Sequence, residues 1–328
     1  MLNFQEQRIA ITGIESLCWQ NDYLIDWVSG GKIIELNGSI KESYKAYRYR
    51  FDAATMSPSG EFTVLYERLG TKGLILQQGK IIREINRSFY YAHAYEYPVT
   101  FIQLADGTEL LAHCPQDYCR LDIEEISSGK CLTDHSTRDP SDFFHSRLMS
   151  SRDGQWLVSA GWVWQPFDNV EYFNVSNVLN DASLLDEGLM PATATDLVNA
   201  AFLNHEILIL TTADDQSQEE INPAILEAKQ VGYLNLNSSQ YEKITSIDST
   251  IGSFMPVGMD YIVGFYEHPK LINTNTGEIL YEWRNLLTGK QNSSIIWHIE
   301  KLPPLAIDTM NQRFAVADAQ GITIVSFN

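Results

Sequence analysis

Three hairpin turns set at a fixed interval constrain this chain more than any other feature of it. Ser59-Gly60 lies between the apolar runs 51–56 and 62–66, Asp106-Gly107 between 99–104 and 109–113, and Asp153-Gly154 between 147–150 and 156–160. Gly60 and Gly107 are 47 residues apart, and so are Gly107 and Gly154. Strand, tight turn, strand, repeated at a period in the forties with no helical pattern between, encodes a radial array of β-sheets. One such unit cannot bury its apolar face alone and must stack on copies of itself.

Four weaker copies extend the array, with turns at Asn21-Asp22, Asn204-His205, Met259-Asp260 and Asn311-Gln312. Asn and Asp tolerate the left-handed backbone that such turns demand, so they stand in for Gly. A second hairpin follows the first in several units: 73–77 turns at Gln78-Gly79 into 80–86, and the pairs 120–126 with 129–134, 233–237 with 241–247 and 270–274 with 277–283 repeat it. Four strands per unit and seven units predict an all-β fold, a seven-bladed β-propeller of four-stranded antiparallel blades. The blades are expected at about 14–43, 44–86, 87–135, 136–186, 187–247, 248–286 and 287–328. The last unit is one strand short, with strands at 305–309, 313–318 and 321–327, while the run 4–12 at the other end belongs to no blade. Pairing the N-terminal strand with the C-terminal blade would close the ring and leave no open edge between first and last blades.

With these repeats the chain resembles the WD40-like β-propeller superfamily over essentially its whole length. The resemblance is architectural: the Trp-Asp dipeptide that ends the third strand in that family is absent, and so is its Gly-His pair. It implies a fold, and a fold alone does not assign a function.

Composition narrows the function classes. With 42 acidic against 23 basic residues the formal charge is −19, which disfavours nucleic acid and anionic membrane surfaces as partners. Residues 1–13 carry Gln5, Glu6, Gln7 and Arg8 in place of an apolar leader core, and no run approaches a membrane span. Cys18, Cys114, Cys119 and Cys131 show no disulfide framework. A cytoplasmic monomer is expected, with no metal and no cofactor; His113, Cys114 and Cys119 lack the second cysteine pair of a zinc site.

In a propeller, the loops between blades and those joining second to third strands share one face, and here that face collects the long segments. They include 44–50, 90–97, 138–145 and 296–304 between blades, and 67–72, 114–119, 162–169, 213–230 and 267–269 within them. Function in repeat folds concentrates on such a face. Four groups of candidates lie there. Trp162, Trp164 and Phe167 form an aromatic cluster suited to stacking on a partner, or else to packing between blades. Arg48 and Arg50, among Tyr44, Tyr47 and Tyr49, share strand parity and could clamp a carboxylate or phosphate, or neutralise carboxylates of the protein itself. His93, His145 and Arg147 could line the central channel, with Asp142 to orient a histidine base. Asp214, Asp215, Glu219 and Glu220 make an acidic arm, followed by a run at 223–229 compatible with a helix, that could engage a basic partner.

No nucleophile elbow, phosphate-binding loop or dinucleotide fingerprint occurs. The expected function is therefore a non-enzymatic scaffold that binds a protein or peptide on the loop-rich face. The alternative is a small-ligand binder or enzyme using the funnel of that face, with Arg48, Arg50, His93, His145 and Arg147 as its polar set.

Overall fold

The computed structural model describes residues 2–43, 45–134, 137–214, 225–296 and 301–328. Seven small antiparallel sheets stand in a ring, the arrangement of a seven-bladed β-propeller. The hairpin turns that set the period take the backbone their residues allow. Gly60, Gly107 and Gly154 have φ of 75°, 86° and 69°, and Asn21 and Gln312 both sit at 49°. Two turns solve the problem differently. In the sixth blade Gly258 (φ 57°) takes the left-handed position instead of Met259-Asp260. In the fifth, the Asn204 side chain accepts hydrogen bonds from the backbone of Glu206 and Ile207, both at 2.8 Å.

The ring closes as the leftover strand requires. Phe4–Ala10 pairs antiparallel with Gly321–Phe327 over seven rungs and becomes the outermost strand of the last blade. Ile9 and Ile11 enter the core shared by the first and last blades. Phe4 packs on Tyr281 and Trp283 of the sixth, with ring centroids 4.8 and 4.9 Å apart.

Two blades depart from four regular strands. In the third, Asp122–Glu125 is followed by a single bridge from Glu124 to Cys131. Side chains seal that edge instead: Asp122 accepts from Thr133 Oγ1 at 3.0 Å and from Arg138 Nη1 at 3.1 Å, and all three groups are buried. In the fourth blade the inner strand is split into Phe143–Phe144 and Leu148–Ser150, both paired to Trp156–Val163. The break falls at Arg147, whose φ is 42°. Here the repeats led to an expectation of strands alone, yet the outer position holds a helix, Val175–Asn180, started by Asn174, whose side chain accepts from Asn177 N. Val175 and Val178 fill the space between the third and fourth blades, so the helix does the packing of a missing strand.

One long connection shapes the loop-rich face. After the sixth blade, residues 289–296 leave the rim and run over the mouth of the channel. Asn292 accepts from Gly252 N and Asn199 Nδ2, Ser294 N and its hydroxyl donate to Asp168 Oδ1, and Ile296 N donates to Ala94 O at 2.8 Å. Tyr95 and Ile295 form a bridge. This strap ties the sixth, fifth and fourth blades to the linker before the third. Beneath it Met149, Ala200, Phe254 and Ile307 line the channel, which opens on the opposite face into a hollow of about 1000 Å³. Among the described residues, no helix is long and apolar enough to cross a membrane.

Candidate functional site

The loop-rich face carries a column of aromatic rings over the third and fourth blades. Its base comes from strands: Phe144 and Trp162 are directly opposite in the ladder, and their rings stack at 3.8 Å and 13°. Gly161 makes that approach feasible, since a Cβ there would collide with the Phe144 carbonyl oxygen. Tyr118, from the loop after Glu109–His113, stacks on Phe144 at 4.1 Å and 25°, and Tyr90 continues the pile at 4.9 Å from Tyr118. Trp164 and Tyr91 stand edge-on to one another at 4.9 Å, and Trp164 meets Phe144 edge-on at 5.2 Å.

The linker bearing Tyr90 and Tyr91 is held by buried Arg87. Its guanidinium donates to Gly70 O, Ala92 O and Tyr95 O and lies over the Tyr95 and Tyr97 rings at 4.6 and 5.1 Å. The column is therefore rigid at its foot and open at its top. Trp162 is 2 % exposed, whereas Trp164 is 36 %, Tyr90 40 % and Phe89 85 % exposed. Tyr118 donates to Asp142 at 2.5 Å, and burial together with that carboxylate pushes the phenol up. Asp117 and Asp142, both exposed, give the platform an acidic rim.

The residues singled out from the sequence divide. Trp162 belongs to the buried column and not to an exposed patch: it lies inside the ladder, while Trp164 lies one step beyond the last rung, Val163 to Phe167. Phe167 is 43 % exposed but shares strand parity with Val163, so it faces away from the column. His93 is exposed and stacks on Tyr91 at 5.9 Å. His145 does not reach the channel. It is buried against Phe143 and Phe173, with Nδ1 3.1 Å from Ser159 Oγ. Arg147 ties the fourth blade to the fifth by donating to Asn199 Oδ1 at 2.5 Å and Val198 O at 2.7 Å. Arg48 and Arg50 are exposed on the linker into the second blade, and Arg50 lines a separate cavity. The five polar residues of the enzyme-like alternative thus do not converge, and the strap runs over the funnel they were to share.

Of the acidic arm, Asp214 accepts from Thr250 Oγ1 at 2.9 Å; Asp215, Glu219 and Glu220 lie outside the described residues. The arm's return is anchored, because Leu226 is fully buried in the core between the fourth and fifth blades, and the described stretch 225–229 is not helical. Sequence reasoning passed over Phe89, Tyr90, Tyr91, Tyr118 and Phe144. The run Phe89-Tyr90-Tyr91 was the available signal.

Burial shifts two titratable groups of the fourth blade far from their usual values, and both shifts bear on stability. Burial holds the His145 imidazole down at about 3 against its usual 6.5, and burial pushes the Glu171 carboxyl up to about 8 against 4.5. The contribution of neutral His145 is complete above pH 6.5 and is lost as pH falls toward 3. That of protonated Glu171 is complete below pH 4.5 and is lost as pH rises toward 8. Each slope is about 1.4 kcal/mol per pH unit, and they oppose one another between 4.5 and 6.5. The contributions of these two groups are expected to cancel in that window, with His145 alone lowering stability on the acid side and Glu171 alone on the alkaline side. Glu171→Gln should abolish the fall between pH 6.5 and 8 in denaturant titrations and leave the acid limb unchanged; an unaltered alkaline limb would refute the assignment.

Among the described residues, no three His, Cys, Asp or Glu side chains gather as a metal site requires. No protein-family model matches the chain, and no curated protein does. Solved structures do: the computationally designed Ika8 protein, known from a crystal structure, is similar over 99% of this chain and 100% of its own, with a TM-score of 0.52 at 11% identity. That likeness shows the propeller fold alone.

Proposed function

We propose that the protein is a non-enzymatic scaffold that binds a protein or peptide segment on the aromatic platform of its loop-rich face. The observation that carries this reading is the exposure of Tyr90 and Trp164 on a stack of Tyr118, Phe144 and Trp162, with exposed Phe89 next to Tyr90 in the chain. Large rings whose orientation is settled before binding lose little freedom on contact, which is how interface hot spots work. Contiguous exposed apolar patches rimmed by polar residues mark interaction sites on soluble proteins. The acidic rim and the net charge of −19 favour a partner with basic residues beside an apolar anchor.

Selection from a displayed peptide library tests this. Enriched peptides are expected to pair Lys or Arg with an aromatic or proline residue, and to associate more slowly as salt rises. Trp164→Ala should weaken them by about 2 kcal/mol, near thirtyfold, while costing no more than about 1 kcal/mol of stability. Selected peptides that bind the variant as well as the native chain would overturn the reading.

A further inference from the structure

A cavity of about 580 Å³ opens on the loop-rich face beside the first and second blades, and the scaffold function makes no use of it. Its described walls are the linker from Tyr47 to Asp52, the turn at Arg68 and Leu69, and the returning strap at Lys301 and Leu302. We propose that this cavity binds a small planar organic anion, with the anionic group held by Arg50 and the ring lying against Tyr47 and Tyr49.

Charge is the first argument. The chain carries 19 more acidic than basic residues, yet among the described residues three cations, Arg50, Arg68 and Lys301, face this cavity against two carboxylates, Glu15 and Asp52. Both carboxylates are already engaged: Glu15 accepts from Lys301 at 2.8 Å, and Asp52 accepts from the Arg68 backbone at 2.7 Å. Arg68 is paired with Glu96 at 3.3 Å, and that carboxylate raises its pKa. Arg50 has neither a hydrogen bond nor an ion pair to any described group, and a guanidinium offers five donors in a planar fork that fits a carboxylate or phosphate.

Shape and lining supply the second argument. The volume falls in the range of about 300–1,000 Å³ typical of small-molecule sites. Tyr47 and Tyr49 lean on buried Phe51, with centroids 6.2 and 5.9 Å away, so the aromatic wall is set in advance. Val28, Leu69 and Leu302 complete an apolar lining that would take the ring and shield the ion pair from water. An arginine with no partner among the described residues disfavours a cation, and a bare inorganic anion would leave the apolar and aromatic walls unused.

Isothermal titration of the full chain at low salt with benzoate, adenosine 5′-monophosphate, inorganic phosphate and benzamide tests the proposal. Benzoate and the nucleotide separate a carboxylate from a phosphate source of the same planar-anion chemistry. At least one of them is expected to saturate at millimolar concentration or below, with inorganic phosphate and neutral benzamide at least about tenfold weaker. Arg50→Gln and Tyr49→Ala, both at exposed positions, should each weaken binding about tenfold or more while leaving peptide binding on the platform intact. Absence of saturation by both planar anions, benzamide binding as tightly as benzoate, or unchanged affinity in Arg50→Gln would each overturn it.

Discussion

Removing residues 1–12 is expected to cost about 5 kcal/mol or more of stability and to turn the protein into an associating species. The strand Phe4–Ala10 contributes seven rungs to the last blade, and the segment buries Ile9 and Ile11 in the seam between first and last blades. Phe4 adds ring contacts to Tyr281, Trp283 and Phe327. Each such side chain is worth about 1.5–3 kcal/mol when buried. Polar ties go with them: Arg8 donates to Asp318 and to Thr323 Oγ1, both at 2.6 Å, and Trp283 Nε1 donates to Glu6 at 2.8 Å. The exposed edge of Gly321–Phe327 would then present unpaired backbone to other copies. Calorimetry and sedimentation of the truncated chain measure both effects, and a peptide of residues 1–12 added in trans should reverse them. A truncated monomer that melts like the full chain would show that the ring does not depend on this closure.

Trp162→Ala is expected to destabilise the protein by about 3–5 kcal/mol, the range for deleting a large buried ring. The side chain is 2 % exposed, stacks on Phe144 at 3.8 Å and supports Trp164 edge-on at 5.1 Å, so its loss would leave a cavity at the foot of the column. Its indole N–H is buried with no hydrogen-bond partner. Trp162→Phe keeps a stacked ring, discards that unpaired donor, and should therefore cost less than half as much. Trp164→Ala, at the exposed top, should stay within about 1 kcal/mol of the native chain. Urea midpoints at constant slope separate the three. Equal losses at 162 and 164 would mean that the column is one buried core with no platform above it.

What the sequence disclosed follows from how local each determinant is. Hairpin turns need a left-handed residue at a fixed place, so Gly60, Gly107, Gly154 and Asn21 announced themselves, and the unmatched strand at the N-terminus implied the closure. The helix Val175–Asn180 was not foreseen because its six residues are too few to show a period, and its stability comes from Val175 and Val178 packing between blades. The aromatic platform was half legible. Spacing placed Trp162 and Trp164 on one side of a strand, but which of them is buried depends on the register with Phe144, more than a dozen residues away. Tyr118 and Tyr90 join the stack from two further segments. The strap was invisible for the same reason: Ser294 meets Asp168 and Ile295 meets Tyr95 across the ring, and nothing near residue 294 signals either contact.

Hydrogen–deuterium exchange of the full chain with and without a platform-selected peptide tests most directly whether this propeller binds its partner through the aromatic column. Protection is expected in 87–95, 115–119 and 162–167, the segments that carry Phe89, Tyr90, Tyr91, Tyr118 and Trp164. Protection confined to the opposite face, at the turns Ser59-Gly60, Asp106-Gly107 and Asp153-Gly154, would contradict it.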